Sequence, residues 1–515
     1  MDEEWLPCMI IIDNKLAGST SAADDRSMNI RKALGVSFVT EIIIFLISFL
    51  SVIVVSRLLT PEEIGIYSVS VALLAFAHVF RDFGVGKYLI QVEIVTRERV
   101  RAAFSVTLMF SWTIAVALYL LRFPAAEFYG NRGIAEVLRL VAINFVILPF
   151  GSPLMSLLRR EMRFGTIAGV RAVSTSVNAG ATIAAALAGE SYLSMGWGAV
   201  AGNISNVILL SMIRHEDSLM LPSWRGVGEV LAFGSKASGV SVIGQLGGSA
   251  PDLIFGRTLG FSEVAFYSRA ASITSTLLGK FVTMVKGVHF PSFAKETRAG
   301  RDPAMLYAQS TLYMVGVTVP ALAVLALISD ALIVFMFGPQ WGRSTPLASM
   351  LCVFGMLSAP YSLCDTALIA CGKVGRVLRI QWWLQSARIL VMLTSIWLSL
   401  EQVIMLLVAT ASLSAGLHQY ALRDAFGLTF GMLWRQVREA YLIALFTLPA
   451  PALLKYFFIR EGIDVASFGF LAGATALAAL GWFAGVLWFD HPLKRDALFA
   501  WQKFVTLALG RPKAP

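Results

Sequence analysis

SRLLTPEEIGIYS, residues 56–68, returns two hundred residues later as GRTLGFSEVAFYS, residues 256–268. Arg57 and Arg257, Leu59 and Leu259, Glu63 and Glu263, Tyr67 and Tyr267, and Ser68 and Ser268 coincide at that single offset. Two apolar helix-loop-helix pieces resemble one another by chance through their hydrophobic residues. Arg, Glu and Tyr are not selected that way, so the matches read as an internal repeat.

The chain around the two copies is too apolar to cover itself with water-facing side chains. Of its 515 residues 57% are hydrophobic and only 14% charged, and the mean hydropathy is +0.72. That composition places it in a bilayer. The formal charge of +10 is then explained by basic residues in cytoplasmic loops and does not indicate nucleic acid. Cys8, Cys352, Cys364 and Cys371 show no paired spacing, and the five histidines, His78, His215, His289, His418 and His491, are scattered. The cysteines read as small packing residues. No HExxH, Walker or dinucleotide-binding fingerprint occurs, so no metal, cofactor or nucleotide-hydrolysing site is signalled.

A helix crosses the hydrocarbon with about 20 predominantly apolar residues, and that criterion predicts an all-α integral membrane protein with about fourteen transmembrane helices. The first two span roughly 36 to 55 and 64 to 90, the seventh and eighth roughly 227 to 256 and 263 to 288. The seventh is the weakest, since its "GVSVIGQLGGSAPDLIFG" (239–256) carries glycines and a proline. "ALIVFMFGPQW" (331–341) reads as a separate piece too short to cross. With both termini cytoplasmic, roughly 27 basic residues lie inside and about 7 outside, in line with the positive-inside rule. The expected organisation is a cytoplasmic tail (1–30), an N-terminal lobe (31–215), a C-terminal lobe (216–425), two further helices (426–490) and a second cytoplasmic tail (491–515). Met28 offers an alternative start within the first tail.

The offset of 200 residues lays the first span over the seventh and the second over the eighth, with an even number of crossings between. The second copy therefore enters the membrane in the same direction as the first, which implies a pseudo-two-fold axis along the membrane normal.

The run "SRLLTPEEIGIYSVSVALLAFAHVFRDFGVGKYLIQ" (56–91), with "YSRA" (267–270) and "FGPQW" (337–341), resembles the signature of the polysaccharide transporters. These are the Wzx-like branch of the multidrug/oligosaccharidyl-lipid/polysaccharide flippase superfamily. The resemblance runs from about residue 30 to about residue 490. It implies two six-helix lobes around a central cavity, two extra C-terminal helices, and export of polyprenyl-diphosphate-linked oligosaccharide units across the bacterial inner membrane. The implied partners are the lipid-linked substrate, the bilayer itself, a polysaccharide polymerase and a chain-length regulator.

Such a cargo sets a solvation problem. A buried sugar hydroxyl without a partner costs roughly 2 to 7 kcal/mol, so a flippase needs helices with polar stripes. Arg269, Ser272, Thr276, Lys280 and Thr283 fall on one face of the eighth span, and Ser238, Ser241, Gln245, Ser249 and Asp252 on one face of the seventh. Ser37, Thr40, Glu41, Ser48 and Ser51 form a weaker stripe on the first span, and the second carries His78, Arg81, Asp82 and Lys87. Ionisable groups within a span are costly and mark function or pairing. Arg81, Arg269 and Lys280 are the candidates for holding a diphosphate, Arg by a planar fork and Lys as a point charge. Ser241, Gln245, Ser272 and Thr276 are the candidate polar lining. Glu41, Asp82 and Asp252, with Asp365, are candidates for proton or sodium coupling, or for pairing with cations such as Arg171 and Arg388. A drug or cation antiporter of the same superfamily would favour an acidic, aromatic cavity. A membrane polymerase or ligase would need a larger outer loop than the roughly 5 to 15 residues the span count leaves.

Overall fold

The computed structural model describes residues 20–82, 85–218 and 221–494; the side chains of 20–38, 75, 76, 78–82, 87, 217, 218, 233–246 and 298 and several between 276 and 292 lie outside that description. Among the described residues all regular structure is helical. Backbone N–H and C=O groups find no water in hydrocarbon, so a helix that satisfies its own is the form the sequence must take.

The chain begins with α1 (Thr20–Leu58) and α2 (Pro61–Asp82). Between them the Thr60 N–H donates to the Glu63 carboxylate at 2.7 Å, and the Glu63 N–H donates to Thr60 Oγ1 at 3.3 Å. This capping box, with Pro61 in the first helical position, starts α2. Next come α3 (Val85–Gln91), α4 (Arg97–Tyr129), α5 (Arg132–Ile147) and α6 (Ser152–Arg160), the last two joined by a 3-10 turn. α7 (Phe164–Leu187), α8 (Leu193–Ile213) and the short α9 (His215–Ser218) lead to α10 (Val227–Thr258) and α11 (Phe261–Arg298). α10 runs unbroken through Pro251, where the glycines predicted a weak rod.

α12 (Pro303–Phe337) is capped by Asp302, whose side chain accepts from the Ala304 N–H. It absorbs most of the stretch expected to stand alone at 331–341. The reason is that no glycine or proline stands between Pro320 and Gly338, where φ reaches 101° and the chain turns into the 3-10 segment Pro339–Trp341. α13 (Ser344–Ser358), α14 (Cys364–Ala370) and α15 (Val374–Leu393) follow. α16 (Leu400–Phe426) opens on a Ser399 and Gln402 capping box and closes at left-handed Gly427. α17 (Phe430–Thr447), α18 (Pro449–Arg460) and α19 (Phe468–Trp488) complete the chain. Among the described residues nine helical stretches are long and apolar enough to cross a membrane.

The chain divides into two compact units. The first draws on residues 1–52, 80–121 and 138–238, the second on 53–79, 122–137 and 239–515. In the first, α7 and α8 pack through small residues. A Cβ on Gly198 would fall 1.8 Å from Thr182 Oγ1, and one on Gly202 would fall 2.8 Å from Asn178 Cβ. Close approach of this kind is how helices gain contact energy when lipid is as apolar as their side chains. The Arg160 guanidinium, at the end of α6, donates to the carbonyls of Leu89, Ile90, Val92 and Glu93 at the end of α3.

In the second unit α12 is the central element. Tyr307, Met314, Val315 and Val319 are buried among residues of α14, α15, α16 and α17. The Tyr307 hydroxyl donates to the Pro360 carbonyl at 2.8 Å. α19 is fastened by the Trp482 indole N–H on the Gly316 carbonyl at 2.9 Å.

Replacing Gly198 by Leu should lower the thermal midpoint of the detergent-solubilised protein, the overpacking costing about 1 to 3 kcal/mol. Gly169→Ala, where a Cβ meets nothing within 4 Å, should leave the midpoint unchanged or raised.

Candidate functional site

The two echo copies both lie in the second unit, and they touch. A Cβ on Gly65, in the first copy, would sit 1.9 Å from the carbonyl oxygen of Phe261 in the second. A Cβ on Gly256, where the second copy starts, would sit 2.5 Å from Val69, immediately after the first. Gly256 stands at the echo position of Ser56, so the repeat places a glycine where its other half needs to come close.

The FGPQW stretch docks on the first copy. The Ser56 carbonyl accepts the Trp341 indole N–H at 2.9 Å and the Gln340 amide at 2.7 Å. The Leu59 carbonyl accepts Gln340 as well, at 3.2 Å. Arg57 returns the connection, its Nε donating to the Met336 carbonyl at 3.0 Å and its terminal nitrogen to the Phe335 carbonyl. These are the last carbonyls of α12, so a cation completes a helix end whose oxygens lack intrahelical donors. In the second copy the Arg257 guanidinium stands over the Phe128 ring at 5.4 Å, and Glu263 pairs with Arg343 at 2.6 Å. Arg343 also reaches Glu401 at 3.5 Å.

Arg269 follows the second copy directly. Its guanidinium carbon lies 5.1 Å from the Trp341 ring centre and 5.3 Å from that of Phe337. Its Nε is buried with no hydrogen-bond partner. Arg269 is therefore held by ring faces, each such contact being worth about 0.5 to 2 kcal/mol. Ser272, a turn further on, donates its hydroxyl to the Arg269 carbonyl at 2.9 Å. Asp252 accepts from the Ser268 hydroxyl at 3.0 Å. In the first unit Glu41 pairs with Arg171, both about half exposed. Arg81, Asp82, Ser241, Gln245, Thr276 and Lys280 lie outside the described side chains, as do His78 and Lys87.

A polar cluster that spacing alone does not reveal centres on Asp365 of α14. One oxygen accepts the Gln381 amide of α15 at 2.7 Å, and the other lies 3.5 Å from His418 Nε2 of α16. His418 Nδ1 is 2.8 Å from the Ser414 carbonyl, and its ring stacks on Tyr361 at 6.2 Å. The three helices contribute one group each, so no single-helix stripe announces the cluster; the one signal is an embedded carboxylate. Arg388, on α15, stands over Phe354 at 5.4 Å. Among the described residues no group of three His, Cys, Asp or Glu side chains is arranged to hold a metal.

The profile of a family described as polysaccharide biosynthesis protein matches residues 54–346. The lipopolysaccharide biosynthesis protein WzxC of Escherichia coli (strain K12) is 24% identical over 345 residues, covering 66% of this chain and 69% of that protein. The succinoglycan biosynthesis transport protein ExoT of Rhizobium meliloti (strain 1021) is 24% identical over 357 residues, covering 69% and 71%. Among solved structures, the lipid II flippase MurJ in an inward closed conformation superposes with a TM-score of 0.69 at 10% identity, over 90% of this chain and 100% of that one. The fold is thus of the MurJ kind.

His418→Ala removes the imidazole from the partly buried Asp365 carboxylate and should destabilise the protein by about 1 to 3 kcal/mol, the range for an acceptor that loses its partner. Adding Asp365→Asn should return part of that loss, read as the thermal midpoint of the double variant against the single one.

Proposed function

The chain belongs to the polysaccharide biosynthesis protein family, and from that premise we propose that it is a flippase that carries polyprenyl-diphosphate-linked oligosaccharide units across the inner membrane by alternating access. The observation that carries the reading is the extent of the family match. It begins at residue 54, two positions before the first echo copy, and ends at 346, just beyond the FGPQW corner. The stretch held in common contains both echo copies, Arg269 and the FGPQW corner.

In this reading the helices make about fourteen crossings, arranged as two lobes (31–215 and 216–425) and two added helices (426–490). Both termini are cytoplasmic, an orientation supported by the basic surplus of the inner loops. Arg269 contacts the diphosphate, with Arg81 and Lys280 as further cations. Ser241, Gln245, Ser272 and Thr276 line the polar path. Glu41, Asp82 and Asp252 are the groups assigned to ion coupling, and a polymerase and a chain-length regulator are the partners that take up the product. The relatives are biosynthesis and transport proteins, and the chain acts by moving its cargo rather than by transforming it.

The chemistry favours a diphosphate at Arg269. A planar guanidinium offers paired N–H donors that match phosphate oxygens two at a time. Among the described residues it is held by rings and not by a carboxylate, so an incoming anion displaces no carboxylate there.

Deleting the gene should cause lipid-linked repeat units to accumulate on the cytoplasmic leaflet, with loss of surface glycan. Complementation with Arg269→Gln and Lys280→Gln together should restore export at roughly a tenth of the parent level or less, two charge-assisted contacts being lost. Surface glycan unchanged in the deletion strain would sink the reading in favour of a drug or cation antiporter.

A further inference from the structure

Ser56, Trp341 and Arg269 form a chain of three residues joined by two unlike contacts. The Ser56 carbonyl holds the indole N–H, and the same indole presents its face to the Arg269 guanidinium. Phe337 flanks the cation, and its ring meets that of Trp341 at 6.3 Å. Phe266 stands edge-on to the indole at 6.0 Å. Trp341 is fully buried, as is Ser56. The chain therefore joins the first residue of the first echo copy to the residue that follows the last of the second.

We infer that Trp341 is a positioning residue that links anion binding at Arg269 to the closure of the two echo copies on one another. A ring that holds a cation on one side and donates to a neighbouring carbonyl on the other cannot shift for one partner without disturbing the second. A ligand that changes the position of the guanidinium changes the stability of the closed corner by the same factor as closure changes its affinity. Gly65 and Gly256 let the two copies approach closely enough for this to work. The linkage rests on the assignment of Arg269 to the diphosphate made above, whereas closure of the corner through Trp341 does not.

The test uses the purified full-length protein in detergent with its four native cysteines replaced and Ser56→Cys added as reporter. A water-soluble maleimide reads opening of the corner, and farnesyl diphosphate is the anionic probe. Trp341→Phe keeps a ring for Arg269 but removes the N–H from Ser56. It should raise the labelling rate about fivefold, as loss of one hydrogen bond does, while farnesyl diphosphate affinity stays within about twofold. Trp341→Ala should raise labelling as well and weaken the affinity about tenfold. The probe should change the labelling rate in the parent and leave it unchanged in Trp341→Ala. Parent-like labelling in both Trp341 variants, or the same effect of the probe in parent and Trp341→Ala, overturns the inference. Arg269→Gln binding the probe as tightly as the parent overturns the diphosphate assignment instead, and the labelling of Trp341→Phe still decides whether the corner is latched. Leu59→Cys, buried in the same corner, is the second reporter should Ser56→Cys fail to fold.

Discussion

A helix that ends in or near hydrocarbon leaves up to four carbonyl oxygens without an intrahelical donor, and there is little water to take the place of one. Much of this structure answers that constraint. Arg160 reaches four carbonyls at the end of α3, and Arg57 reaches two at the end of α12. Lys373 donates to the Ala425 carbonyl beside the end of α16 at 3.0 Å. Gln340 and Trp341 do the same for the last turn of α1. In each case the donor comes from a different part of the chain, so the need of one helix end becomes a tie between elements. Each charged donor adds about 1.5 to 3 kcal/mol and also favours the negative end of the helix dipole.

That constraint explains which parts of the molecule could be read from the sequence. Apolar length announces the helices, and Thr60, Pro61 and Glu63 announce where α2 begins, because a capping box is a local arrangement. The echo was visible because Arg, Glu and Tyr recur at one offset. What the echo is for was not visible. Gly65 against Phe261 and Gly256 against Val69 are contacts between elements almost two hundred residues apart, and spacing along one helix carries no information about a neighbouring one. The same limit hid the pairing of Asp365 with Gln381 and His418. The misplaced boundary at 331 has another cause. FGPQW looks like the tail of a short apolar piece, yet only Gly338 and Pro339 interrupt the helix, so α12 continues to Phe337.

The repeat also separates two roles that a single motif would have to combine. In the first copy Arg57 and Ser56 serve as a dock for the end of α12. In the second, Glu263 is tied to Arg343, and the residue after Ser268 is a cation that, among the described residues, rests on ring faces and not on a carboxylate. The shared residues keep the two helix-turn-helix corners alike enough to pack face to face, while the positions that differ, Ser56 against Gly256 and Gly65 against Ala265, decide which side supplies the hydrogen bonds and which side yields room. The two close approaches, Gly65 on Phe261 and Gly256 on Val69, are not symmetry mates of one another, so the alike corners meet through unlike positions.

Besides the cations that complete helix ends, others differ in whether a carboxylate or a ring holds them. Arg171, Arg214, Arg343 and Arg376 face carboxylates, and an anionic cargo would have to displace those partners before using the charge. These pairs are partly exposed, so breaking one costs only about 0.2 to 1 kcal/mol, but the carboxylate left beside the cation would repel an incoming phosphate. Arg269 and Arg388 rest on aromatic faces instead. A ring holds a guanidinium with about 0.5 to 2 kcal/mol and occupies its flat face, leaving the N–H edge as the direction from which an anion approaches. Of these two, Arg269 is the one whose ring partner is also fastened to the other echo copy. The support of its guanidinium and the docking of the α12 end on the first copy therefore share one side chain, Trp341.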